Sequence, residues 1–163
     1  MKEQVMSRPR AKLHEVTVTA SKDADEFRFD AGSEIWDESI SGLCFRKDHH
    51  GLTKKDYHLI EFVLTDRTGE GLTFPNAPHQ AMWVTKANAG DKHPCPNAET
   101  PSDYSVIEPM SISDDRRRLI VRNDNPERER WAFTLNFVKR EDHSADASHY
   151  VSWDPIIDNH NGG

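Results

Sequence analysis

Apolar and polar side chains alternate in twos along most of this chain, the spacing of strands whose two faces meet different surroundings. In residues 13–20, Val16, Val18 and Ala20 alternate with Thr17 and Thr19, and β-branched residues suit a half-buried pleated surface. The Asp-rich stretch 23–25 predicts a turn, after which Phe27 and Phe29 flank Arg28 in a short second strand. Leu43 and Phe45 suggest another. Residues 57–66 predict a central strand: His58, Ile60, Phe62 and Leu64 fall on one face, Leu59 and Val63 on the other. Apolar residues on both faces imply cover on both.

Residues 72–74, 81–86 and 106–113 read as further strands, with Pro109 marking an edge because proline cannot donate to a ladder. Residues 119–122 and 131–139 predict a hairpin around Asn123-Asp124-Asn125-Pro126. Its second arm sets Trp131, Phe133, Leu135 and Phe137 toward a core and Thr134 and Asn136 away from it. Residues 150–157 predict the last strand. Between strands, 87–105 is a long irregular stretch holding Gly90, Pro94, Pro96 and Pro101, and a loop of that length is usually functional or mobile. No segment of helical length shows a 3.6-residue period. The expected fold is all-β, an immunoglobulin-like antiparallel β-sandwich of about seven to nine strands, with a barrel as the competing architecture. The expected organisation is a tail at 1–12, one domain over 13–159 and a flexible end at 160–163.

Composition narrows the function classes. With 28 acidic against 21 basic residues the net charge is −7, which disfavours phosphate backbones and anionic membranes. No run approaches the roughly 20 apolar residues of a membrane helix, and the charged start lacks the apolar block of a secretory signal. The cytoplasm of a bacterium is therefore the expected setting. Cys44 and Cys95, the two cysteines, match no redox or zinc spacing and are expected as unpaired thiols.

Two dipeptides punctuate the C-terminal half: Glu108-Pro109, and Asp154-Pro155 within Tyr150-Val151-Ser152-Trp153-Asp154-Pro155-Ile156-Ile157. Between them run Leu119-Ile120-Val121-Arg122 and the 131–139 strand. This order, over about residues 106–159, resembles the bacterial DP-EP family, named for such dipeptides and without an assigned activity. The resemblance implies a small immunoglobulin-like sandwich and transfers no catalytic residue. Physically, a residue before proline is pushed to extended geometry, so both dipeptides read as strand punctuation. The sharper alternative sets Glu108 and Asp154 face to face, because paired carboxylates raise one pKa and can do acid–base work.

Other candidate chemistry is sparse. His93-Pro94-Cys95, with His79 or His49-His50, offers nitrogen and thiolate donors to zinc or copper, without the short spacing of a known site. A serine nucleophile would need a constrained turn, and no Gly-x-Ser-x-Gly elbow is present. Thr68-Gly69-Glu70-Gly71 is acidic and unsuited to phosphate. Arg116-Arg117-Arg118, Arg122, Arg128 and Arg130 interleave with Asp114, Asp115, Glu127 and Glu129, the mark of a salt-bridged face. By alternation Trp131 is core, while Trp36, Trp83 and Trp153 fit either a core or a binding surface. The expected function is a non-enzymatic module that binds a protein partner or a second copy of itself, with no cofactor, nucleic acid or membrane. The alternative is a metal-dependent hydrolase or oxidoreductase using His79, His93 and Cys95.

Overall fold

The computed structural model describes residues 8–87, 96–142 and 147–160. Two sheets face one another. The first runs in the order β2 (Glu26–Gly32), β1 (Ala11–Asp23), β5 (Tyr57–Asp66), β8 (Arg118–Asn123) and β7 (Ile107–Ile112). In the second, β3 (Trp36–Asp37), β4 (Gly42–Arg46), β11 (Ile156–His160) and β9 (Glu129–Phe137) are neighbours in turn. β6 (Met82–Ala87) covers one side of β9, and β10 (Val151–Trp153) continues the line of β11 along the other. The four-residue helix α1 (Pro78–Ala81) leads into β6.

Alternation predicts the faces well. Val16, Val18 and Ala20 of β1, and Ile60, Phe62 and Leu64 of β5, are buried against Trp131, Phe133, Leu135 and Phe137 of β9. Ring contacts join the sheets, Phe62 to Phe133 at 5.9 Å between centroids and Phe29 to Phe137 at 5.3 Å. β5 is central, as its two apolar faces imply. Thr134 and Asn136 turn away from the core yet are also buried. Their polar atoms are met by the Pro96 carbonyl (2.7 Å) and the Gln80 carbonyl (2.8 Å), so backbone of neighbouring segments roofs this strand.

Three expectations are corrected. The sheets are mixed rather than antiparallel: β1 pairs with β5 in parallel over Ala11↔Tyr57 to Ala20↔Asp66, and β4 pairs in parallel with β11. A period of two fixes which face a residue takes but is blind to strand direction. The 119–122 and 131–139 segments form no hairpin; β8 lies in one sheet and β9 in the other, so the turn between them crosses the sandwich. The structure has eleven strands among the described residues, more than seven to nine, because Asp154-Pro155 splits the expected last strand into β10 and β11 and because β3 is only two residues long. The 72–74 segment contributes one isolated bridge, Thr73↔Val138.

β1 begins at Ala11, and Arg10 donates its backbone N–H to Asp56 at 2.8 Å. His160 closes β11. Gly42 is required where β4 meets β11, because a Cβ there would collide with the Ile156 carbonyl oxygen.

Candidate functional site

Strand edges decide what a sandwich can pair with, since an edge presents unpaired N–H and C=O groups. The β6 edge is covered: Asp103 donates its N–H to the Val84 carbonyl (2.8 Å), and Val84 donates to Ser102 Oγ (3.3 Å). β3 has two residues and β10 three. β7 is broken by Pro109 and by a bulge between Pro109 and Ser111. β2 differs. Its seven residues pair with β1 without a bulge from Thr17↔Gly32 to Asp23↔Glu26, and among the described residues no hydrogen bond reaches its outer edge. Phe27, Phe29 and Ala31 lean inward, while Glu26, Arg28 and Asp30 are exposed.

The sequence candidates fall into separate places. Glu108 and Pro109 sit on edge strand β7 of the first sheet, and Asp154-Pro155 links β10 to β11 of the second. Among the described residues, no hydrogen bond or ion pair joins Glu108 to Asp154. Pro155 accepts the Phe133 N–H at 3.1 Å, which fits strand punctuation. Glu108 instead meets His79, Oε2 to Nε2 at 3.8 Å, and His79 stacks on Tyr104 with 4.4 Å between centroids. His93 and Cys95 lie outside the described residues, as does the middle of the 87–105 stretch. Three of the six arginines reach acids, though not the interleaved ones: Arg118 reaches Glu61 (3.2 Å), Arg122 reaches Asp124 (2.7 Å) and covers the Tyr57 ring, and Arg130 approaches Asp158 (3.5 Å). Trp153 stacks with Phe29 and Trp36 at the sandwich rim, whereas Trp83 packs on Tyr150.

One end of the interior is polar. His14 and His58 project inward from the parallel pair β1 and β5, with His14 Nε2 3.0 Å from His58 Nδ1. Asn125 Nδ2 lies 3.3 Å from His58 Nε2 and donates to the His160 carbonyl at 3.0 Å. With Asn125 as donor, His58 carries its proton on Nδ1 and passes that hydrogen bond to His14. His14 Nδ1 is left buried without a partner. Burial holds His14 at about 4, helped by His50 and Lys12, and holds His58 at about 3, helped by His14, His50 and Lys47. Both rings therefore stay neutral at neutral pH. Nearby, Asn123 and Asn159 exchange amide hydrogen bonds at 2.8 and 3.0 Å. Lys47, 2% exposed, donates to the Lys54 carbonyl at 2.9 Å. Backbone N–H groups of Thr53 and Arg10 hold the Asp56 carboxyl well below the usual carboxylate range.

On the outer face of the second sheet, strand register gathers a set that the sequence reading missed. Asp158 pairs beside Cys44 across the β4–β11 ladder, and His160 follows on the same face two residues on. Cys44 Sγ, an Asp158 oxygen and a His160 ring nitrogen all lie within 4.8 Å of one another. His160 Nε2 is 2.9 Å from Asp158 Oδ2. Cys44 is a free, half-buried thiol whose pKa burial pushes up, with a hydrogen bond from Arg46 opposing. Cys44 also lines an open cleft of about 390 Å³ with Trp36, Arg46, His49 and His50.

Comparison with known proteins adds little. No family model matches the chain, and no curated protein matches it. Among solved structures it is similar to the inclusion body protein PixA from Burkholderia cenocepacia J2315. The identity is 10% and the TM-score 0.34, over 96% of this chain and 99% of that one, too distant to bear on function. Among the described residues, no helix is long and apolar enough to cross a membrane.

Proposed function

We propose that this chain is a non-enzymatic interaction module that pairs edge to edge with a second copy of itself through β2. The carrying observation is the contrast among edges: β2 is long, regular and open, while β3, β6, β7 and β10 are short, covered or broken. Its side chains favour self-pairing in one register. Antiparallel pairing about a two-fold axis at Phe29 sets Arg28 opposite Asp30 twice, Phe27 opposite Ala31 and Glu26 opposite Gly32. Directly opposed unlike charges stabilise a cross-strand pair, and like charges destabilise it. The β2 main chain supplies the affinity, as in other strand-addition contacts, and the charges set the register.

The immunoglobulin-like kinship and the DP-EP relationship belong to the same reading. Two facing sheets support them, as do the two dipeptides, one within edge strand β7 and one between β10 and β11. A cytoplasmic setting fits the free thiol of Cys44. Light scattering on a size-exclusion column, over a range of loading concentrations, tests the proposal. A concentration-dependent dimer is expected; a strict monomer at high concentration would contradict self-pairing.

A further inference from the structure

The second sheet carries a feature that pairing through β2 does not use. Cys44, Asp158 and His160 bring a sulfur, a carboxylate oxygen and an imidazole nitrogen within 4.8 Å of one another. Their backbones are neighbours in one ladder, so the three side chains are aimed together by strand register rather than by loops. From these positions we infer that Cys44, Asp158 and His160 form a binding site for one divalent transition-metal ion of the zinc or copper class.

The donor set selects the ion. Calcium and magnesium take oxygen ligands, whereas mixed sulfur, nitrogen and oxygen donors suit borderline and softer ions. Ligand atoms at opposite edges of a tetrahedral zinc site lie roughly 3.4 Å apart, as follows from its 2.0–2.3 Å bonds. His160 Nε2 and Asp158 Oδ2, at 2.9 Å, need to open only slightly to accept an ion between them. Without an ion, their hydrogen bond keeps the pair together.

The surroundings complete the site. Arg46 hydrogen-bonds Cys44, and Arg130 lies 3.5 Å from Asp158 Oδ1, the oxygen that His160 does not use. Both guanidiniums can remain as outer partners, one on the sulfur and one on the far carboxylate oxygen. Binding exchanges the thiol proton for the ion and releases that proton to solvent. Three protein ligands leave a fourth position for water or a small ligand, and Cys44 also borders the open cleft toward β3. The ion would cross-link β4 to β11, a parallel pair whose ends Asn125 already bridges by donating to the Phe45 and His160 carbonyls.

Cobalt(II) titration of the untagged full-length chain tests the inference, because thiolate–cobalt bonds give a near-ultraviolet charge-transfer band that histidine-only sites lack. One equivalent of cobalt is expected to produce the band, and zinc to remove it. Cys44→Ser should abolish it, Cys95→Ser should retain it, and His160→Gln should weaken binding by about tenfold or more. His160→Gln also serves as the reading if Cys44→Ser fails to fold. Absence of the band in the wild-type chain, or its survival in Cys44→Ser and loss in Cys95→Ser, would overturn the site. Neither result depends on whether the chain dimerises through β2.

Discussion

β2 and β7 lie at opposite edges of one sheet, are seven and six residues long, and differ in the features that govern pairing. β7 carries Pro109, which lacks an N–H, and then a bulge that leaves Met110 out of register and 50% exposed. Helix α1 packs alongside it, with His79 of that helix against Glu108. β2 has no proline and no bulge, and its ends are set by a tight turn at Ala24 and by Gly32. The two strands close the same sheet at its two edges. The guard on β7 is written locally, in Pro109 and the bulge, and among the described residues β2 has neither.

The strongest test of separateness uses acid, because β2 has no histidine while the neighbouring β1 and β5 bury His14 and His58. Both rings titrate below the ordinary value of 6.5 when folded, His14 at about 4 and His58 at about 3. The unfolded chain therefore takes up protons first as pH falls. Stability is full above about pH 6.5 and declines as pH drops toward 4 and 3, by about 1.4 kcal/mol per pH unit for each ring. Urea unfolding at pH 7 and pH 4.5 should differ by several kcal/mol, and His58→Gln should flatten the slope. Equal stability at both values would contradict the neutral buried pair. The titratable groups that act on the rings are His50, Lys12 and Lys47, and each opposes their protonation.

Charge reversal at β2 comes next. Arg28→Asp turns two attractive cross-strand pairs into two repulsive ones, a change of roughly 1–3 kcal/mol, or about five- to 150-fold in dimer affinity. Sedimentation equilibrium would detect it, with monomer stability unchanged because, among the described residues, Arg28 meets only the exposed Asp23 at 3.6 Å. Repairing the other edge should break the comparison from the opposite side. Pro109→Val with Met110 deleted gives β7 a flat, fully donating edge, and light scattering should then report assemblies larger than two copies; a species that remains a dimer would show that the bulge is not the guard. The smallest effect is at the β1–β2 turn. Ala24 has φ of 57°, a left-handed conformation that glycine adopts freely, so Ala24→Gly should stabilise by about 0.5–1 kcal/mol in thermal melts.

Much of this architecture is legible in the residues themselves. The core faces of β1, β5 and β9, the central place of β5 and the edge position of Pro109 all follow from alternation and from proline's missing N–H. Strand direction and sheet membership do not, because a period of two reads the same forwards and backwards and from either sheet. That is why 119–122 and 131–139 look like one hairpin when they belong to facing sheets. Asp158 and His160 share a strand face at a spacing of two, a readable signal, but an assignment of His160 to a tail hides it. Cys44 joins them only through the parallel β4–β11 ladder. The openness of β2 is a property of topology: nothing in Glu26-Phe27-Arg28-Phe29 says that no strand will lie beyond it.

Complementary mixing tests the β2 pairing most directly. Arg28→Asp and Asp30→Arg each place like charges opposite one another in the homodimer, while the pair of variants restores Arg opposite Asp at both positions. Each variant alone should sediment as a monomer, and an equimolar mixture should recover the dimer. Dimers that persist in both single variants, or a mixture that stays monomeric while the wild-type chain dimerises, would contradict pairing through β2 in this register.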